Sequence, residues 1–431
     1  MIGCYKSAYS FCSQAESLQL HFEGLPSLQK DIRRAVSKHY DIKEDTLETS
    51  ENANPSGWPD TGMVRRERYP WNEHEPDRFA ELDTLNELMR RVAPKLEVLA
   101  VDLPDLTSTS EGSSKQLGVF AKEDIAPGQT VLDETSMLTA NNKLQDALCD
   151  ACSADLPELS SAEAAITVSC PDCEVVFCSQ TCFDQAVESY HPALCEQDVE
   201  NIAKDVRPAE AADSLYSLLL LRSLAMAETQ QCHPLDLNEV KYIWADFHNL
   251  DASSNWQLST LSNPIQTTLQ VTLPFSFEHN IRLPFHMFEK MDLDIFASPN
   301  AEVWVFNTLY AKFRGTASAR LSGLGGRAIR GPEVSAVHPM WCLANHSCDP
   351  NVGWEWGGSI RFWVRQERAK WTREGEDGKK MKQPGIRKGE EVLNHYCDID
   401  LPVHVRREWA RGALGGDCQC DRCQYEAGET S

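Results

Sequence analysis

The 431-residue sequence lacks a hydrophobic run long enough to cross a membrane. A spanning helix needs about 20 apolar residues, whereas the leucine run Leu218–Leu221 ends at once at Arg222. The first residues, Met1–Lys6, also lack the apolar core of a secretory signal. Positive charge is scarce, because 41 Lys and Arg face 65 Asp and Glu, a net charge of −24. This balance argues against general nucleic-acid binding and favours a basic partner. We expect a protein of the cytoplasm, the nucleus or both.

The cysteine content is high for a chain with no export signal. Thiols in a reducing compartment bind metal more often than they form disulfides. Four short-spaced pairs of ligand type lie between residues 149 and 195: Cys149 and Cys152, Cys170 and Cys173, Cys178 and Cys182, His191 and Cys195. Short spacing lets both members of a pair reach one tetrahedral zinc ion. Eight ligands fill two closed structural sites, since a catalytic zinc keeps one position for water.

A third cysteine group lies near the end of the chain. Cys418, Cys420 and Cys423 supply three ligands, and a tetrahedral site needs a fourth. Cys348 is the candidate for that position, which makes three structural zinc ions in all. The other five cysteines are expected to be ordinary thiols: Cys4, Cys12, Cys232, Cys342 and Cys397.

Local patterns predict helices mixed with short strands. Thr84 and Glu87 have the spacing of a capping box that starts a helix ending before Pro94. Two further helices are predicted over residues 211–228 and 301–319, and strands over 119–121, 130–132 and 360–364. The turn signal Ala126–Gly128 predicts that the first two strands form a hairpin. Short strands interrupted by helical insertions favour an α+β fold.

Two motifs carry most of the functional signal. They are Leu343–Asn351, which reads LANHSCDPN, and Gly389–Tyr396, which reads GEEVLNHY. Together with the closing Cys-x-Cys-x2-Cys, they resemble a SET domain with its post-SET zinc loop, and the region 149–195 resembles a MYND zinc finger. The order of these motifs is similar to that of SET–MYND (SMYD) lysine methyltransferases, of a fungal-like kind. The resemblance implies an α+β SET-domain fold split by a MYND-like finger and helical insertions.

The resemblance also implies domain boundaries and ligand sets. It divides the chain into an N-terminal extension (1–110), a first SET part (111–148), the finger (149–195), a helical or irregular insertion (196–300), a second SET part (301–400) and a post-SET zinc region (401–431). One zinc ion of the finger would be held by Cys149, Cys152, Cys178 and Cys182. The other would be held by Cys170, Cys173, His191 and Cys195.

The activity implied by the resemblance is methyl transfer from S-adenosylmethionine to lysine side chains of proteins. Tyr396, which ends the Gly-Glu-Glu motif, matches the family's catalytic tyrosine. A tyrosine hydroxyl is neutral near pH 7 and can orient the amine without competing as a nucleophile. Gly118, Asn345 and His346, together with Tyr396, match the positions that contact the cofactor. The acidic charge fits a lysine-rich substrate such as a histone tail.

Two alternatives from other classes remain open. The family's first motif is Gly-x-Gly, but Gln116–Gly118 supplies only the second glycine, and Leu414–Asp417 lacks the usual aromatic residue. A SET-like scaffold without catalysis, whose finger binds proline-rich peptides, is therefore the rival interpretation. A metal-dependent hydrolase is disfavoured, because the counted ligands close all three metal sites.

Overall fold

A computed structural model of the chain describes residues 3–18, 24–65, 68–104, 113–142, 148–158, 160–199, 202–204, 206–245, 272–298, 300–320, 332–371, 382–414 and 416–428. Within the predicted insertion 196–300, residues 246–271 lie outside these ranges.

The described residues combine α-helices and short strands. The helices are α1 (Tyr5–Ser17), α2 (Leu25–His39), α3 (Leu82–Val92), α4 (Gln180–Ser189), α5 (Ala211–Gln230), α6 (Asn238–Lys241), α7 (Leu283–Lys290), α8 (Val303–Thr316), α9 (Val403–Leu414) and α10 (Asp421–Glu426). The strands are β1 (Thr61–Arg65), β2 (Leu96–Pro104), β3 (Ser113–Ala121), β4 (Thr130–Glu134), β5 (Thr139–Asn141), β6 (Val168–Ser169), β7 (Val176–Phe177), β8 (Thr272–Ser276), β9 (Ser318–Arg320), β10 (Val334–Ala336), β11 (Val352–Trp356) and β12 (Ile360–Val364). The predicted helices in 211–228 and 301–319 and the strand 360–364 are thereby confirmed.

The chain divides into two compact units. The first consists of Met1–Glu67 with Phe247–His286. In it β1 pairs with β8 in an antiparallel ribbon. Its core is built around α1 and α2 from Cys12, Leu25, Ile32, Val36, Leu47 and Trp58.

The second unit consists of Arg68–Asp246 with Met287–Ser431, and it contains every predicted site residue. Its strands form small antiparallel sheets in the orders β2-β3, β5-β10-β9, β11-β12-β4 and β6-β7. One apolar core joins the first three, with Leu85 and Met89 of α3 packed among residues of β2, β3, β4, β11 and β12. Alternation explains β12, in which Ile360, Phe362 and Val364 are buried and Arg361 is exposed.

The predicted hairpin of β3 and β4 is wrong. The turn is present, since Gln129 N–H donates to Ala126 O and Gly128 has a positive φ of 82°. However, β3 pairs with β2, and β4 pairs with β12. The connection Lys122–Gln129 is longer than the two to five residues of a common hairpin loop. It pairs instead with a distant segment through Ile125 and Ile386.

The predicted capping box is also wrong. Helix α3 begins at Leu82, after Glu81, so Thr84 already lies within its first turn. Asp77 organises the approach instead, because its Oδ1 accepts hydrogen bonds from the backbone N–H of Phe79 and of Ala80. The helix ends at Val92, as the proline at residue 94 predicts.

A buried ion pair joins α8 to the segment that precedes α3. Lys312 is 1% exposed, and its Nζ lies 3.2 Å from Glu75 Oε2. The same ammonium donates to the carbonyl oxygens of Val240, Lys241 and Ile243 at 3.3–3.4 Å. Burial lowers the pKa of Lys312, and the charge of Glu75 opposes that shift. The arrangement satisfies an ammonium that has no access to water.

We expect Lys312→Met to destabilise the second unit strongly. The change leaves the Glu75 carboxylate and three carbonyls without their buried partner, which costs about 3–5 kcal/mol. Urea unfolding of zinc-loaded protein measures it. The matched control is Lys290→Met, whose exposed pair with Asp198 has an N···O distance of 2.7 Å and is worth at most about 1 kcal/mol. An equal loss of unfolding free energy in both variants would contradict the large stabilising role of the buried pair.

No helix within the described residues is long and apolar enough to cross a membrane.

Candidate functional site

The two sequence motifs meet in the second unit as crossed segments. His346 forms a parallel bridge with Asn394. Ser347 N–H donates to Asn394 O at 2.8 Å, and Asn394 N–H donates to Asn345 O at 2.8 Å. The later segment also pairs with β3, because Val392 N–H donates to Val119 O at 2.7 Å. Three segments far apart in sequence therefore share one hydrogen-bonded layer.

Buried polar side chains lock this crossing. Asn351 bonds the facing segment in both directions, donating from Nδ2 to Glu391 O and accepting at Oδ1 from Leu393 N–H. Arg368 and Asp349, which are 3% and 6% exposed, form a buried pair with an N···O distance of 3.2 Å. Arg368 also donates to the backbone oxygen of Asp349 at 2.8 Å. Both contacts fix the loop that carries Asn345 and His346.

Gly118 lies at the closest approach between β3 and the crossed segments. A Cβ atom at this position would lie 2.7 Å from Glu391 Oε1 and 3.2 Å from Asn345 Nδ2. Asn345 Nδ2 donates to Leu117 O at 3.0 Å and to Glu391 Oε1 at 2.7 Å. Burial raises the pKa of Glu391, and the bond from Asn345 opposes that shift. Only glycine fits here without displacing the carboxylate or the amide.

His346 connects the tyrosine to a cysteine group. Tyr396 N–H donates to His346 Nδ1 at 3.0 Å, and His346 Nε2 lies 3.3 Å from Cys348 Sγ. Because Nδ1 accepts, the ring proton of the neutral imidazole is on Nε2, where it faces the sulfur. Burial lowers the pKa of His346 to about 4, so the ring is neutral at pH 7.

Tyr396 is partly buried, and its hydroxyl donates to Ala344 O at 2.9 Å. Its ring lies 5.1 Å from that of His346, centroid to centroid. Burial raises the pKa of Tyr396 above its ordinary value, and the nearby Cys342 and Glu391 add to the effect. The phenol is therefore protonated at physiological pH, and it does not point into bulk solvent.

A cavity of about 820 Å³ opens beside Tyr396. Its wall includes the aromatic side chains of Tyr216, Trp341, Trp354, Tyr396 and Trp409. Three aspartates, Asp213, Asp398 and Asp400, share the lining with Arg314 and Arg365. Of the four residues expected at the catalytic and cofactor positions, only Tyr396 lines this cavity; Gly118, Asn345 and His346 lie outside its lining.

The first two cysteine groups are brought together in the predicted sets. One contains Cys149, Cys152, Cys178 and Cys182, and the other contains Cys170, Cys173, His191 and Cys195. Zinc bound about 2.3 Å from each sulfur would place neighbouring sulfurs about 3.8 Å apart. The Sγ atoms of Cys152 and Cys178 are 3.8 Å apart, and those of Cys170 and Cys195 are 3.7 Å apart. The donor sets fit tetrahedral zinc.

The third group unites Cys348 with Cys418, Cys420 and Cys423. The Sγ atoms of Cys423 and Cys348 are 3.4 Å apart. Arg406, whose side chain is 1% exposed, donates to Cys423 Sγ at 3.6 Å and pairs with Glu426 at 2.6 Å. A buried guanidinium offsets the negative charge that four thiolates keep after one Zn²⁺ binds.

Several residues of the site carry no signal in the sequence. Cys397, expected to be an ordinary thiol, lies with its ligand atom within 4.8 Å of those of His346 and Cys348. Glu134 accepts the backbone N–H of Met340 and Trp341 from the base of the Asn-His loop. Burial raises the pKa of Glu134 to about 7, although the two hydrogen bonds act to lower it. Such roles depend on long-range packing, which one sequence does not display.

Comparisons with known proteins agree with the motifs. No protein-family model matches the chain. Over 389 residues, 84% of this chain, it is 21% identical to the histone-lysine N-methyltransferase SET5 of Candida glabrata, and the match spans 66% of that protein. Over 107 residues, 19% of this chain, it is 31% identical to the protein-lysine N-trimethyltransferase SMYD5 of Mus musculus, and the match spans 26% of that protein.

The solved structure of the SET domain of LSMT bound to lysine and AdoHcy matches 75% of this chain and 55% of its own chain, at 13% identity and a TM-score of 0.33. The chain spans less than two thirds of the length of each of these three proteins. Its sequence relationship is to lysine methyltransferases of the SET/SMYD type, at low identity.

Proposed function

We propose that this protein is an S-adenosylmethionine-dependent methyltransferase that acts on lysine side chains of proteins. The observation that carries the proposal is the position of Tyr396. Its protonated hydroxyl belongs to the crossed segments and its side chain lines an aromatic cavity. The names of the two sequence relatives support the same activity.

The cavity fits the demands of a lysine substrate. A reactive amine must be neutral, and its reference pKa near 10.4 means that holding it neutral at pH 7 costs about 4–5 kcal/mol in water. The indoles of Trp341 and Trp354 favour the neutral amine by desolvation, as does the positive charge of Arg314 and Arg365, whereas the three aspartates of the lining favour the ammonium form. Tyr396 orients the amine nitrogen, and its raised pKa keeps it from becoming a competing anion.

The cofactor would be held by Gly118, Asn345 and His346, together with Tyr396. S-Adenosylmethionine supplies a methyl group on a positively charged sulfur when it is bound. The fit rests on the close approach at Gly118, where main chain, amide and carboxylate meet with no room for a side chain. The neutral His346 ring fixes the main chain of Tyr396 against this surface.

We expect Gly118→Ala to weaken cofactor binding. The new methyl group overlaps Glu391 Oε1 and crowds Asn345 Nδ2. Overpacking costs about 1–3 kcal/mol, and a cost of that size carried by the cofactor-bound state lowers the affinity by about 5- to 150-fold. Calorimetry with S-adenosylhomocysteine measures it. Gly357→Ala is the matched control, because a Cβ at Gly357 meets nothing within 4 Å. Unchanged affinity in Gly118→Ala would remove this residue from the cofactor site.

The metal sites belong to the same proposal. The sets with Cys149 and Cys170 would each hold one structural zinc ion in a MYND-like finger over residues 149–195. The set with Cys348 would hold a third in a post-SET region over 401–431. The remaining boundaries stay as the sequence predicts: 1–110, 111–148, 196–300 and 301–400. The donor chemistry and sulfur separations support these assignments.

The substrate and the cellular location are inferred from the net charge of the chain and from its sequence relatives. The net charge of −24 favours a basic substrate, and one relative is named a histone-lysine methyltransferase. We assign a lysine-bearing protein, with a histone tail as the first candidate, and a proline-rich peptide as a ligand of the finger. Such a substrate places the protein in the nucleus, the cytoplasm or both.

The decisive experiment is methyl transfer by the purified, zinc-loaded chain. Labelled S-adenosylmethionine is incubated with core histones and, separately, with a cell extract, and lysine methylation is located by mass spectrometry. The proposal predicts label on lysine. Cofactor binding without any labelled lysine, or no cofactor binding by calorimetry, contradicts catalysis and favours the scaffold interpretation, in which the finger binds peptides.

A further inference from the structure

The cavity beside Tyr396 is larger than the transfer of a methyl group to one lysine requires. Its volume of about 820 Å³ lies in the range that holds a whole small ligand, whereas a lysine side chain is a single unbranched arm. A second group of lining residues comes from α9 and the turn before it: Asp398, Ile399, Asp400, Trp409, Ala410 and Ala413. The proposed methyl transfer does not use them, and the cavity has room for another side chain of the substrate.

Trp409 is an exposed aromatic residue of this second group. It is 60% exposed, although it shares the cavity-lining face of α9 with Ala410 and Ala413. The two alanines add little bulk beside the indole. Among the aromatic side chains, tryptophan attracts a cation over its ring face most strongly. The indole is therefore a docking position for a cationic side chain.

Asp400 adds a carboxylate to the same part of the lining. It is exposed, and its backbone N–H donates to Asp398 Oδ1 at 3.0 Å, which fixes the turn that carries it. Within the described part of the chain, neither Asp400 nor Asp398 forms an ion pair. Arg406 and Arg411 of α9 pair with other carboxylates. The negative charge of Asp400 thus has no cation of this chain as its partner among the described residues.

The other charges of the lining balance one another. Three aspartates and two arginines line the cavity. In two places an arginine and an aspartate act in opposite directions on the pKa of the same ring. These places are Tyr216, whose pKa is raised by burial and acted on by Arg314 and Asp213, and His395, whose pKa is lowered by burial and acted on by Arg365 and Asp398. Asp400 is the carboxylate left over, so the lining keeps a net negative charge.

We propose that Trp409 and Asp400 bind the guanidinium group of an arginine that accompanies the target lysine in the substrate. Arginine can stack its planar cation on an indole while its N–H donors engage a carboxylate. Lysine carries a compact, strongly hydrated point charge and gains less from the same two partners. This inference rests on the proposed function, and it narrows the substrate to proteins with an arginine close to the methylated lysine.

The test measures the binding of synthetic peptides to the full, zinc-loaded chain by fluorescence anisotropy, which requires no methyl transfer. Each labelled peptide carries one lysine among alanines and serines, and successive peptides place one arginine at each position on either side of it. A second series replaces the arginine by citrulline, which keeps the shape and removes the charge. We expect at least one arginine peptide to bind about 5- to 30-fold more tightly than its citrulline partner, because a cation–π contact and an ion pair act together.

Two variants assign this difference to the proposed residues. Asp400→Asn and Trp409→Ala are each expected to lose most of the preference for arginine over citrulline. The controls are Asp83→Asn, which removes an exposed carboxylate of α3 outside the lining, and Trp71→Ala, which removes an indole of matched exposure, 59%. Both controls retain the preference. Asp400→Asn preserves the side-chain shape and covers the case in which circular dichroism shows that Trp409→Ala misfolds.

The inference and the proposed function fail in different ways. Equal affinity for arginine and citrulline peptides at every position, or a preference that persists in both variants, overturns the inference. A lysine that binds as tightly as arginine at the same position overturns the assignment to a guanidinium group. A chain that prefers arginine peptides but methylates no lysine keeps the binding site and loses the proposed activity, whereas lysine methylation without any arginine preference keeps the activity and removes the site.

Discussion

Tyr396→Phe is expected to abolish detectable lysine methylation while it leaves cofactor binding intact. The change removes one oxygen atom from a side chain that lines the aromatic cavity. Without that hydroxyl, the substrate nitrogen loses the group that orients it, and a lost positioning or proton-handling group slows a reaction by about 100-fold or more. Initial rates with labelled S-adenosylmethionine measure the loss, and calorimetry measures cofactor affinity.

The same substitution has a structural effect that must be separated from catalysis. Tyr396 also donates a hydrogen bond to Ala344 O, and losing one such bond costs about 1 kcal/mol. Tyr9→Phe is a matched control, because the Tyr9 hydroxyl likewise has a hydrogen-bond partner, Arg33, in the first unit. Both variants should melt close to wild type. A Tyr396→Phe protein with wild-type rates would show that the hydroxyl takes no part in the reaction.

Features whose signals are local could be predicted from the sequence. Helix α5 carries a run of leucines and alanines with most of its residues buried, and it was predicted within two residues at its end. Strand β12 shows the alternation that a half-buried strand requires. Cysteines three or four residues apart can be recognised in the sequence as pairs of metal ligands. In each case the physical cause operates over a few residues.

Features set by distant partners could not be predicted in the same way. The structure contains the predicted turn at Ala126–Gly128, yet β4 pairs with β12 and β3 pairs with β2. Strand β2 was not predicted, because what defines it is its long pairing with β3. That pairing runs from Leu96 opposite Ala121 to Pro104 opposite Ser113. A turn specifies that the chain bends, but the competing strands decide which pair forms.

The same distinction holds for the candidate site, where some residues could be predicted from local motifs and others could not. Tyr396, Asn345 and His346 were predicted from motifs, and the structure brings their segments together. Arg406 beside Cys423 and Cys397 beside Cys348 depend on the folded arrangement alone.

Removal of the proposed third zinc site is expected to unfold the C-terminal region. We predict that Cys348→Ser lowers the zinc content of the purified chain from three ions to two. It also makes residues 401–426 sensitive to protease. A structural zinc site contributes about 10–16 kcal/mol in isolated finger peptides, as much as the stability of a whole domain. Metal analysis and limited proteolysis with mass spectrometry measure both effects.

The composition of the local core explains why so large an effect follows from one sulfur atom. The buried cluster around α9 and α10 consists of Cys348, Cys397, Ala410, Cys418 and Cys423. Among the described residues, Ala410 is the one buried member without a thiol, and the partly buried hydrophobic residues packed against the cluster are Val403, Leu414 and Cys420. So little apolar surface cannot balance the entropy lost on ordering some 25 residues, at about 1–2 kcal/mol each. The proposed zinc site would supply the difference.

Cys4→Ser tests whether the effect belongs to the site rather than to the loss of any thiol. Cys4 is only partly buried and belongs to none of the cysteine groups found among the described residues. This control should retain three ions and its protease resistance.

Because His346 Nε2 faces Cys348 Sγ at 3.3 Å, Cys348→Ser should also weaken cofactor binding, through a histidine that has lost its partner. A variant that keeps three ions would show that Cys397, whose ligand atom lies close to that of Cys348, takes the empty position.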